Sequence, residues 1–590
     1  MNAYFALLQE WCDTLESLQI KENHRPELAG GILCPACARV HGRCADAMYP
    51  MLYLYRETGE KKYKDCAMRL FSWSDNMYHE EGYFYNDTNS AWRGITVFAA
   101  ACLGECLLDF GNIFSDQEYR GVQRRFLKCA EYLRDHIEQI GGNVNYPVTC
   151  AYTMAIAHAL TGEESYRIKA WKLGHQAMDY FSEDGLLYGE GHNRQEISPK
   201  GCRPVDIGYN VEESLPSLYL YALMEKDEEV RVFTEKAMRT HLEFMLPDGA
   251  WDNSFGTRNY KWSYWGSRTS DGCLCGFGLS DDPACQEAVR RNFLLLRQCT
   301  KDGLLSGGLM FADAGEPTCV HHTFCHAKGL AMLLKKATPE RMETLCRFKE
   351  NVSLPCDLRD GIRNFPSVQT LLLGKGDWRA TITGYDVEYC RHGHPSGGAV
   401  SLLWHRKLGP VLIGTMGEYQ MVESNNMQLL RNGMPACLTP RIEYQMDGVL
   451  FRSIYDKAAR VWWEDTMQEL RVHVNGRMTS ADNVMGKLFE LDYRMDQHCF
   501  EISVGCEVAS AVLVLPVISK PGEEIVLEKD GSGIFVIKEN GAVLTIYLDS
   551  EWKLSGIEKR AFSPVGGMQA FELQLLIPLN KKVICRFVSI

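Results

Sequence analysis

Two loops between Asp184 and Asp271 combine carboxylates, cations and aromatic side chains in unusual density. The first reads DGLLYGEGHNRQEISPKGCRPVDIGYNVEES and the second reads DGAWDNSFGTRNYKWSYWGSRTSDG. Carboxyl groups and histidine can move protons, aromatic rings stack on sugar rings, and arginine pairs with carboxylates through two hydrogen bonds. The loops therefore predict the floor of a site for an acidic sugar, although loops of this composition can also merely cap a helical core.

The carboxylates of these loops fit hydrolysis of a glycosidic bond, which needs an acid and a second carboxylate on either side of that bond. Glu190 and Glu212 are predicted for these roles, because GEGH and GYNVEES set them beside aromatic residues that could desolvate an acid and raise its pKa. Asp252 is the third candidate. Asp206 and Glu213 fit a helix cap or an ion pair with Arg203 equally well.

The same loops also fit a lyase, which removes the proton next to a uronate carboxyl. That reaction uses Tyr or His as the base, and Asn, His or Arg to neutralise the carboxylate. Tyr209 and His192 are the candidates for the base, and Asn143 and Asn145 are the candidates for the carboxylate contact. Because the two sets of residues overlap, the loops leave the reaction open.

Further residues are predicted to bind substrate. The second loop offers cations and aromatic rings that suit a uronate carboxylate: Arg258, Lys261, Trp262, Tyr264, Trp265 and Arg268. The segment CVHHTFCHAKGLAMLL adds His321 and His322, which are predicted to line a pocket or begin a helix. A zinc-protease site is excluded there, because the segment lacks the glutamate of HExxH.

The segment LCPACARVHGRCAD contains four potential zinc ligands, Cys34, Cys37, His41 and Cys44. Their spacing differs from common zinc knuckles and no second CxxC completes a ribbon, so no metal and no cofactor is predicted. Instead, the start of a helix here is predicted to face the pocket with three side chains: His41, Arg43 and Asp46.

An internal repeat predicts the elements that position these loops. LYRETGEKKYKDCA and HALTGEESYRIKA share Thr, Gly, Tyr and Ala at equal spacings, which is typical of stacked helical hairpins. Gly59 and Gly162 are predicted to end helices, and the following Tyr and Ala to pack on the next helix. From Ala3 to about Lys336 the pattern gives five to seven hairpins, enough to close a ring with its long loops at one end. Residues 215–245 are predicted as one helix between the two loops.

After Thr338 the pattern changes to short β-rich runs such as WRATITGY, AVSLLWH and AVLTIYL, separated by Gly, Asn and Asp turns. These runs predict an antiparallel sheet or sandwich. The predicted domains are a helical catalytic domain at 1–345, a linker at 346–362 and a β domain at 363–590.

Composition narrows the function classes. The chain has 590 residues, 46% of them hydrophobic, and a net charge of -13, which argues against nucleic acid, since phosphate binding needs a basic face. The 23 cysteines are scattered through the chain, and the N-terminus lacks the pattern of a signal peptide. No stretch is expected to be long enough to cross a membrane. A cytoplasmic protein is therefore expected, unless a leader has been removed, and a homodimer remains open.

A ring of helical hairpins followed by an antiparallel β domain resembles the (α/α)-toroid carbohydrate-active enzymes. These include heparinase II/III-like polysaccharide lyases, unsaturated glucuronyl hydrolases without the β domain, and the β-glucuronidases of glycoside hydrolase family 154. GGNVNYP, DG...GYNVEES and HHTFCH resemble the places where toroid enzymes hold site residues, and TITGYD through HPSGGAVSLLWH is similar to the β domain of the lyases. The resemblance implies an α+β multidomain fold, an (α/α) toroid followed by an antiparallel β domain.

The predicted function is a glycoside hydrolase that releases a terminal uronic acid, with glucuronic acid as the expected sugar, from an oligosaccharide or glycoconjugate. The first alternative is a uronate-specific lyase that acts by β-elimination. The second is a carbohydrate-binding toroid without catalytic activity.

Overall fold

The chain folds into a mainly helical domain followed by a mainly β domain. A computed structural model describes residues 2–22, 25–139, 142–191, 193–264, 273–347, 352–528 and 531–590. Helices run to Leu358, and the strands of the second domain begin at Gly361. The predicted α+β multidomain fold is confirmed.

The helical domain is built from pairs of antiparallel helices. Its helices are α1 (Ala3–Ser17), α2 (Met48–Thr58), α3 (Lys61–Trp73), α4 (Thr96–Phe110), α5 (Asp116–His136), α6 (Asn145–Thr161), α7 (Glu164–Ala177), α8 (Ile207–Tyr209), α9 (Leu215–Glu225), α10 (Glu228–His241), α11 (Leu274–Leu279), α12 (Pro283–Gln298), α13 (Val320–Lys336), α14 (Pro339–Cys346) and α15 (Pro355–Leu358). Two short hairpins join helices: β1 (Tyr78–His79) with β2 (Tyr83–Phe84), and β3 (Thr300–Lys301) with β4 (Leu304–Leu305).

Six of these helices form a closed inner ring. Each of α2, α4, α6, α9, α11 and α13 packs against the next, and α13 packs against α2. Their partners α3, α5, α7, α10, α12 and α1 form the outer layer. Inner α6 is buried at every position from Val148 to Ala157, whereas outer α5 buries one face. The hairpins therefore close into an (α/α) toroid, as predicted.

The repeated Thr-Gly motif ends the first helix of two hairpins. Gly59 and Gly162 have φ of 73° and 71°, and their amides bond to Tyr55 and His158. Glycine adopts this left-handed conformation without the steric penalty that a Cβ brings. The predicted helix caps are confirmed, and the motif sets the turn that lets the second helix fold back.

The helix predicted at residues 215–245 is wrong, because the segment forms the hairpin α9–α10. Lys226 adopts φ of 55° after α9, and Asp227 accepts a hydrogen bond from the Val230 amide at 3.2 Å to begin α10. Both halves carry apolar residues at helical spacing, so periodicity alone did not reveal the break. The Asp227 cap was its local signal.

In the part of the β domain that the structure describes, the strands form two antiparallel sheets. Its strands are β5 (Gly361–Phe365), β6 (Thr370–Lys375), β7 (Trp378–Thr383), β8 (Ala399–His405), β9 (Gly409–Ile413), β10 (Arg441–Met446), β11 (Val449–Arg452), β12 (Arg460–Asp465), β13 (Leu470–Ser480), β14 (Met485–Met495), β15 (Cys499–Cys506), β16 (Ala511–Ile518), β17 (Glu524–Leu527), β18 (Gly533–Ile537), β19 (Val543–Leu548), β20 (Trp552–Ser555), β21 (Ala561–Ser563), β22 (Met568–Ile577) and β23 (Val583–Ser589). Strands β5 to β9 pair in sequence order. The larger sheet follows the order β17-β18-β19-β23-β15-β14-β13-β11-β10-β16-β22-β20, with β12 on β13 and β21 on β22.

The five-stranded sheet lies against the toroid. Strands β6, β7 and β8 are buried at every residue, since one face covers the toroid and the other covers the larger sheet. Thr381 donates to Asp252 Oδ2 at 2.5 Å, and Ser254 donates to Ser401 at 2.8 Å. These buried bonds tie the second of the two loops to the β domain.

Helix α4 is one of the six helices of the inner ring. The segment Thr96–Ile113 is long and apolar enough to span a membrane by length and composition, contrary to the expectation that no stretch would reach that length. Within the fold 67% of this segment is buried. Its apolar surface is used for packing in the inner ring.

Candidate active site

A cavity of about 670 Å³ opens where the toroid loops meet the β domain. Its toroid residues lie before, or in the first turn of, inner helices α2, α4, α6, α9 and α11. Helix N-termini favour anions, so this end of the ring suits an acidic ligand. The lining residues from the toroid include Arg43, Trp92, Asn143, Asn145, Tyr146, Tyr209, Glu213, Arg258 and Lys261, and the β domain contributes Tyr389, Val422, Glu423, Ser424, Asn425 and Asn426.

Tyr209 lines the cavity and is the last residue of the short helix α8. The side chain that caps this helix, Asp206, holds the backbone of Tyr209 in place. Asp206 Oδ1 accepts a hydrogen bond from the Tyr209 amide at 3.0 Å. The Lys261 ammonium donates to the Tyr209 hydroxyl at 2.5 Å. The Arg258 guanidinium stacks over the same ring, 4.1 Å from its centre. Two cations next to one phenol stabilise the phenolate, which is the form that acts as a base.

Hydrogen bonds and close packing connect the two loops that carry Tyr209 and Lys261. Asp206 Oδ2 accepts from the Arg258 amide at 2.8 Å and from the Asn253 side chain at 2.9 Å. A Cβ on Gly208 would lie 1.3 Å from the Trp262 ring. Only glycine therefore lets the loop that carries Tyr209 lie on the loop that carries Lys261.

The β domain supplies the counter-charge. Glu423 pairs with Arg258 at 2.7 Å and with Lys261 at 2.8 Å, and it accepts a hydrogen bond from Tyr260. Burial by itself would raise the pKa of Glu423, but the two cations outweigh it and hold that pKa well below its usual range. Glu423 is therefore an anion that keeps both cations in position.

Glu190 and Lys261 have pKa values displaced toward each other. Burial raises the pKa of Glu190 to about 8, an effect that Arg258 at 3.4 Å opposes. Burial, with help from nearby Arg258, lowers the pKa of Lys261 to about 8. Glu190 is therefore largely a neutral carboxyl at pH 7, and it accepts a hydrogen bond from the Asn145 amide at 3.3 Å.

Asparagine and arginine side chains from other segments also line the cavity. Asn145 donates to Glu213 Oε2 at 2.6 Å, and Arg43 reaches Glu213 Oε1 at 3.5 Å. Arg43 Nε also donates to Asp46 at 2.7 Å. Glu213 thus pairs with Arg43 and not with the Arg203 considered from sequence, and Asp206 caps α8.

The cavity contains Tyr209, Asn143, Asn145, Arg258 and Lys261 of the predicted site residues. Other predicted residues lie behind its wall. Glu212 contacts His326 at 3.3 Å, Asp252 binds Thr381, and the Tyr264 hydroxyl donates to Asp248. Three more are buried away from the lining: Trp262, His321 and His322. His192, Trp265 and Arg268 lie outside the described residues, so their predicted roles stay predictions.

Lining residues that were missed from sequence include Trp92, Tyr146, Tyr389 and Glu423. The Trp92 indole donates to the Tyr146 hydroxyl at 3.0 Å, and this pair forms an aromatic edge of the cavity. Tyr146 lies in GGNVNYP, a motif that resembles site segments of toroid enzymes. That motif could have indicated Tyr146 as a site residue. Glu423 and Tyr389 have no comparable local signal, because they reach the site only through docking of the β domain.

A second group of polar side chains lies beside the cavity. Cys34, Cys37 and His41 converge with Cys319, and their possible ligand atoms all lie within 4.8 Å of one another. Cys44, the fourth potential ligand of that segment, is outside this group. The Arg43 side chain lines the cavity, whereas the His41 ring packs on His321, with 5.0 Å between ring centres.

Comparisons with known proteins cover the whole chain. Residues 8–350 match the ulvan lyase N-terminal domain, and residues 362–590 match the ulvan lyase C-terminal domain. A broad-specificity ulvan lyase from Formosa agariphila is 35% identical over 606 residues, which covers 100% of this chain and 94% of that protein.

Two solved structures share the fold at low sequence identity. Heparinase III has a TM-score of 0.56 at 11% identity, over 99% of this chain and 84% of its own. A chondroitin AC lyase from Streptomyces coelicolor A3 has a TM-score of 0.52 at 11% identity, over 100% and 83%. The resemblance to toroid polysaccharide lyases is confirmed at the level of the fold.

The predicted glycoside hydrolase is wrong. Both halves of the chain match domains of a lyase, and a full-length relative is a lyase. The resemblance to β-glucuronidases of family 154 finds no support in these matches. The three carboxylates that suggested hydrolysis do not line the cavity. Glu212 and Asp252 lie behind its wall, and Glu190 is fully buried.

Proposed function

This chain belongs to the ulvan lyase family, and we propose that it is a polysaccharide lyase that cleaves a uronate-containing polysaccharide by β-elimination. The relative from Formosa agariphila acts on ulvan by its description, so ulvan is the first substrate to test. The cations and helix N-termini of the cavity support an anionic chain as the ligand.

The observation that carries the proposal is the 2.5 Å contact between Lys261 Nζ and the Tyr209 hydroxyl inside an open cavity. A phenol becomes a useful base when a nearby cation stabilises its ionised form. Lys261 and Arg258 supply that charge from one turn of the second loop, and Glu423 holds both of them.

The proposed reaction begins when the Tyr209 phenolate removes the proton at C5 of the uronate. The electron pair forms a double bond between C4 and C5, and the bond from C4 to the glycosidic oxygen breaks. That oxygen leaves with a proton, which the Tyr209 phenol can return because it has just received one. No water is consumed, and the new non-reducing end is an unsaturated uronate.

Removal of the C5 proton builds negative charge on the uronate carboxylate, so the site needs donors for those oxygens. The Asn143 and Asn145 side chains lie on the cavity wall, and Arg43 adds a guanidinium there. Asn145 is oriented by its bond to Glu213. We assign these three side chains to the carboxylate, with Tyr209 as the base.

The test follows two products of one reaction. Purified enzyme is incubated with ulvan while the ultraviolet band of the unsaturated uronate and the number of reducing ends are both measured. We expect the two signals to rise together. Reducing ends without the absorbance would mean hydrolysis, and binding of ulvan without either signal would mean a carbohydrate-binding protein; both results would overturn the proposal.

A further inference from the structure

Four side chains from two distant segments converge beside the active-site cavity. Cys34 Sγ lies 3.6 Å from Cys319 Sγ, and Cys37 Sγ lies 3.9 Å from the same atom. The His41 Nε2 atom lies 3.6 Å from Cys319 Sγ. We propose that these four residues bind one zinc ion.

The distances agree with a tetrahedral ion at the centre. With Zn–S of about 2.3 Å and Zn–N of about 2.0 Å, tetrahedral ligands lie about 3.8 Å apart for two sulfurs and about 3.5 Å apart for sulfur and nitrogen. A disulfide requires sulfurs at about 2.05 Å, and all three cysteines of the group are outside any disulfide. Three cysteines and one histidine are a ligand set of structural zinc sites.

The backbone between the first two cysteines is already folded as a metal-binding turn. The Cys37 amide donates to Cys34 Sγ at 3.4 Å, and the Ala38 amide bonds to the Cys34 carbonyl at 2.9 Å. Ala38 adopts φ of 53°, a conformation that non-glycine residues rarely take. The turn directs both thiols to one side, where an amide hydrogen bond to sulfur favours the thiolate that binds a metal.

The group is closed, which points to a structural ion. Cys34 and Cys319 are fully buried, His41 is 1% exposed and Cys37 is partly buried. Four protein ligands would fill the tetrahedron and leave no open position for water or substrate. Soft thiolates with one imidazole in this geometry select zinc or iron over magnesium or calcium.

The ion would stabilise toroid segments that line the cavity and that contact the β domain. His41 directly precedes the turn Gly42–Ala47 that carries Arg43. Arg39, also between the ligands, donates to the Asn425 side chain at 3.1 Å and to the Ser424 carbonyl at 2.6 Å, and both partners line the cavity. Cys319 precedes helix α13 of the inner ring. The site joins these segments whatever reaction the cavity performs, so the inference does not rest on the proposed function.

The first experiment measures metal in the full-length chain, purified without chelators, by elemental analysis. We expect about one zinc per chain in the unmodified protein. Cys37→Ser and Cys319→Ser should each lose most of it, whereas Cys44→Ala, which changes a buried cysteine outside the group, should keep it. Zinc retained by both ligand variants, or no zinc in protein that has been incubated with zinc, would overturn the proposal.

A second measurement keeps the test independent of how the variants fold. The unmodified chain is stripped with a chelator and loaded with Co²⁺, which reports its own coordination. Strong charge-transfer absorption from sulfur together with tetrahedral ligand-field bands is expected, and X-ray absorption of the zinc form should give three sulfurs and one nitrogen. A coordination shell without sulfur, or iron as the native metal, would contradict the assignment.

Discussion

The Lys261 ammonium lies 2.5 Å from the Tyr209 hydroxyl, and these two groups come from different loops of the toroid. If Tyr209 is the base, its replacement should remove catalysis and leave the fold intact. Tyr209→Phe is expected to lower kcat by about 10³-fold, within the range for loss of a positioned base. The measurement is the initial rate of unsaturated-uronate formation on ulvan.

The matched control is Tyr219→Phe, ten residues along the same stretch, whose hydroxyl donates to Glu235 at 3.0 Å outside the cavity. That variant should keep a near-normal rate. Equal rates in both variants would remove Tyr209 from the mechanism.

Lys261 is predicted to act through Tyr209. Lys261→Met should lower kcat/KM by about 10²-fold, comparable with the loss of one charge-stabilising donor. Because both residues serve one step, the double variant with Tyr209→Phe should be scarcely slower than Tyr209→Phe alone. Losses that multiply in the double variant would mean that the two residues work independently.

Glu190 should make the stability of the fold depend on pH. Its folded pKa of about 8 lies above the ordinary value of 4.5, so between these values the native chain holds a proton that the unfolded chain has lost. The stabilisation is complete below pH 4.5 and is lost as the pH rises through 8, with a span of up to about 5 kcal/mol. Glu190→Gln should therefore flatten this decline.

Urea unfolding at pH 5 and pH 8 measures the effect. Glu196→Gln, an exposed carboxyl of the same loop, should behave as the unmodified chain does. Since Glu190 is mostly neutral at pH 7, Glu190→Gln should also keep its turnover within about 10-fold. A loss of several orders of magnitude would instead give Glu190 a role in proton transfer.

Glu423 is predicted to set the upper pH limit of activity. It raises the pKa of Lys261, which burial and Arg258 lower to about 8. Without that anion the Lys261 pKa falls further, so the cation beside Tyr209 is lost at a lower pH. Glu423→Gln should move the alkaline limb of the kcat profile downward, while Glu418→Gln, an exposed residue of the same segment, should leave it in place. If the alkaline limb of the kcat profile stays unchanged in Glu423→Gln, the ionisation of Lys261 does not control the rate.

Trp92 is predicted to bind the sugar chain at the cavity edge. The residue is 42% exposed, and its indole is oriented by Tyr146. Trp92→Ala should raise KM about 10-fold with little change in kcat, a loss of about 1.4 kcal/mol of binding shared by the ground and transition states. Trp171→Ala removes another exposed ring, 54% accessible, from the outer helix α7 and should change neither constant. A fall in kcat with KM unchanged would argue against stacking.

Local sequence determined the architecture. The repeated Thr-Gly-Tyr-Ala pattern, the αL glycines Gly59 and Gly162, and the change from helical to alternating periodicity are properties of neighbouring residues. They are fixed by backbone sterics and by which face of each element is apolar. The toroid, the β domain and the two loops could therefore be predicted.

Only some of the residues that form the site could be predicted from the sequence. Tyr209, Arg258 and Lys261 lie in loops whose composition was informative, yet sequence ranked Glu190 and Glu212 equally as catalytic acids. Their environments differ because one packs near Arg258 and the other against His326. Local aromatic content does not encode which carboxyl packs beside a buried arginine and which packs against a helix.

Tertiary structure decided the long-range pairs. Glu423 reaches Arg258 across 165 residues of sequence, and Cys319 joins Cys37 across 282. Ring closure brings α13 back to the N-terminal loop, and sheet docking brings the β domain onto the second loop. The sequence by itself determined the elements and the chemical types near the site. Which charges meet there depends on contacts between distant segments, which no local pattern specifies.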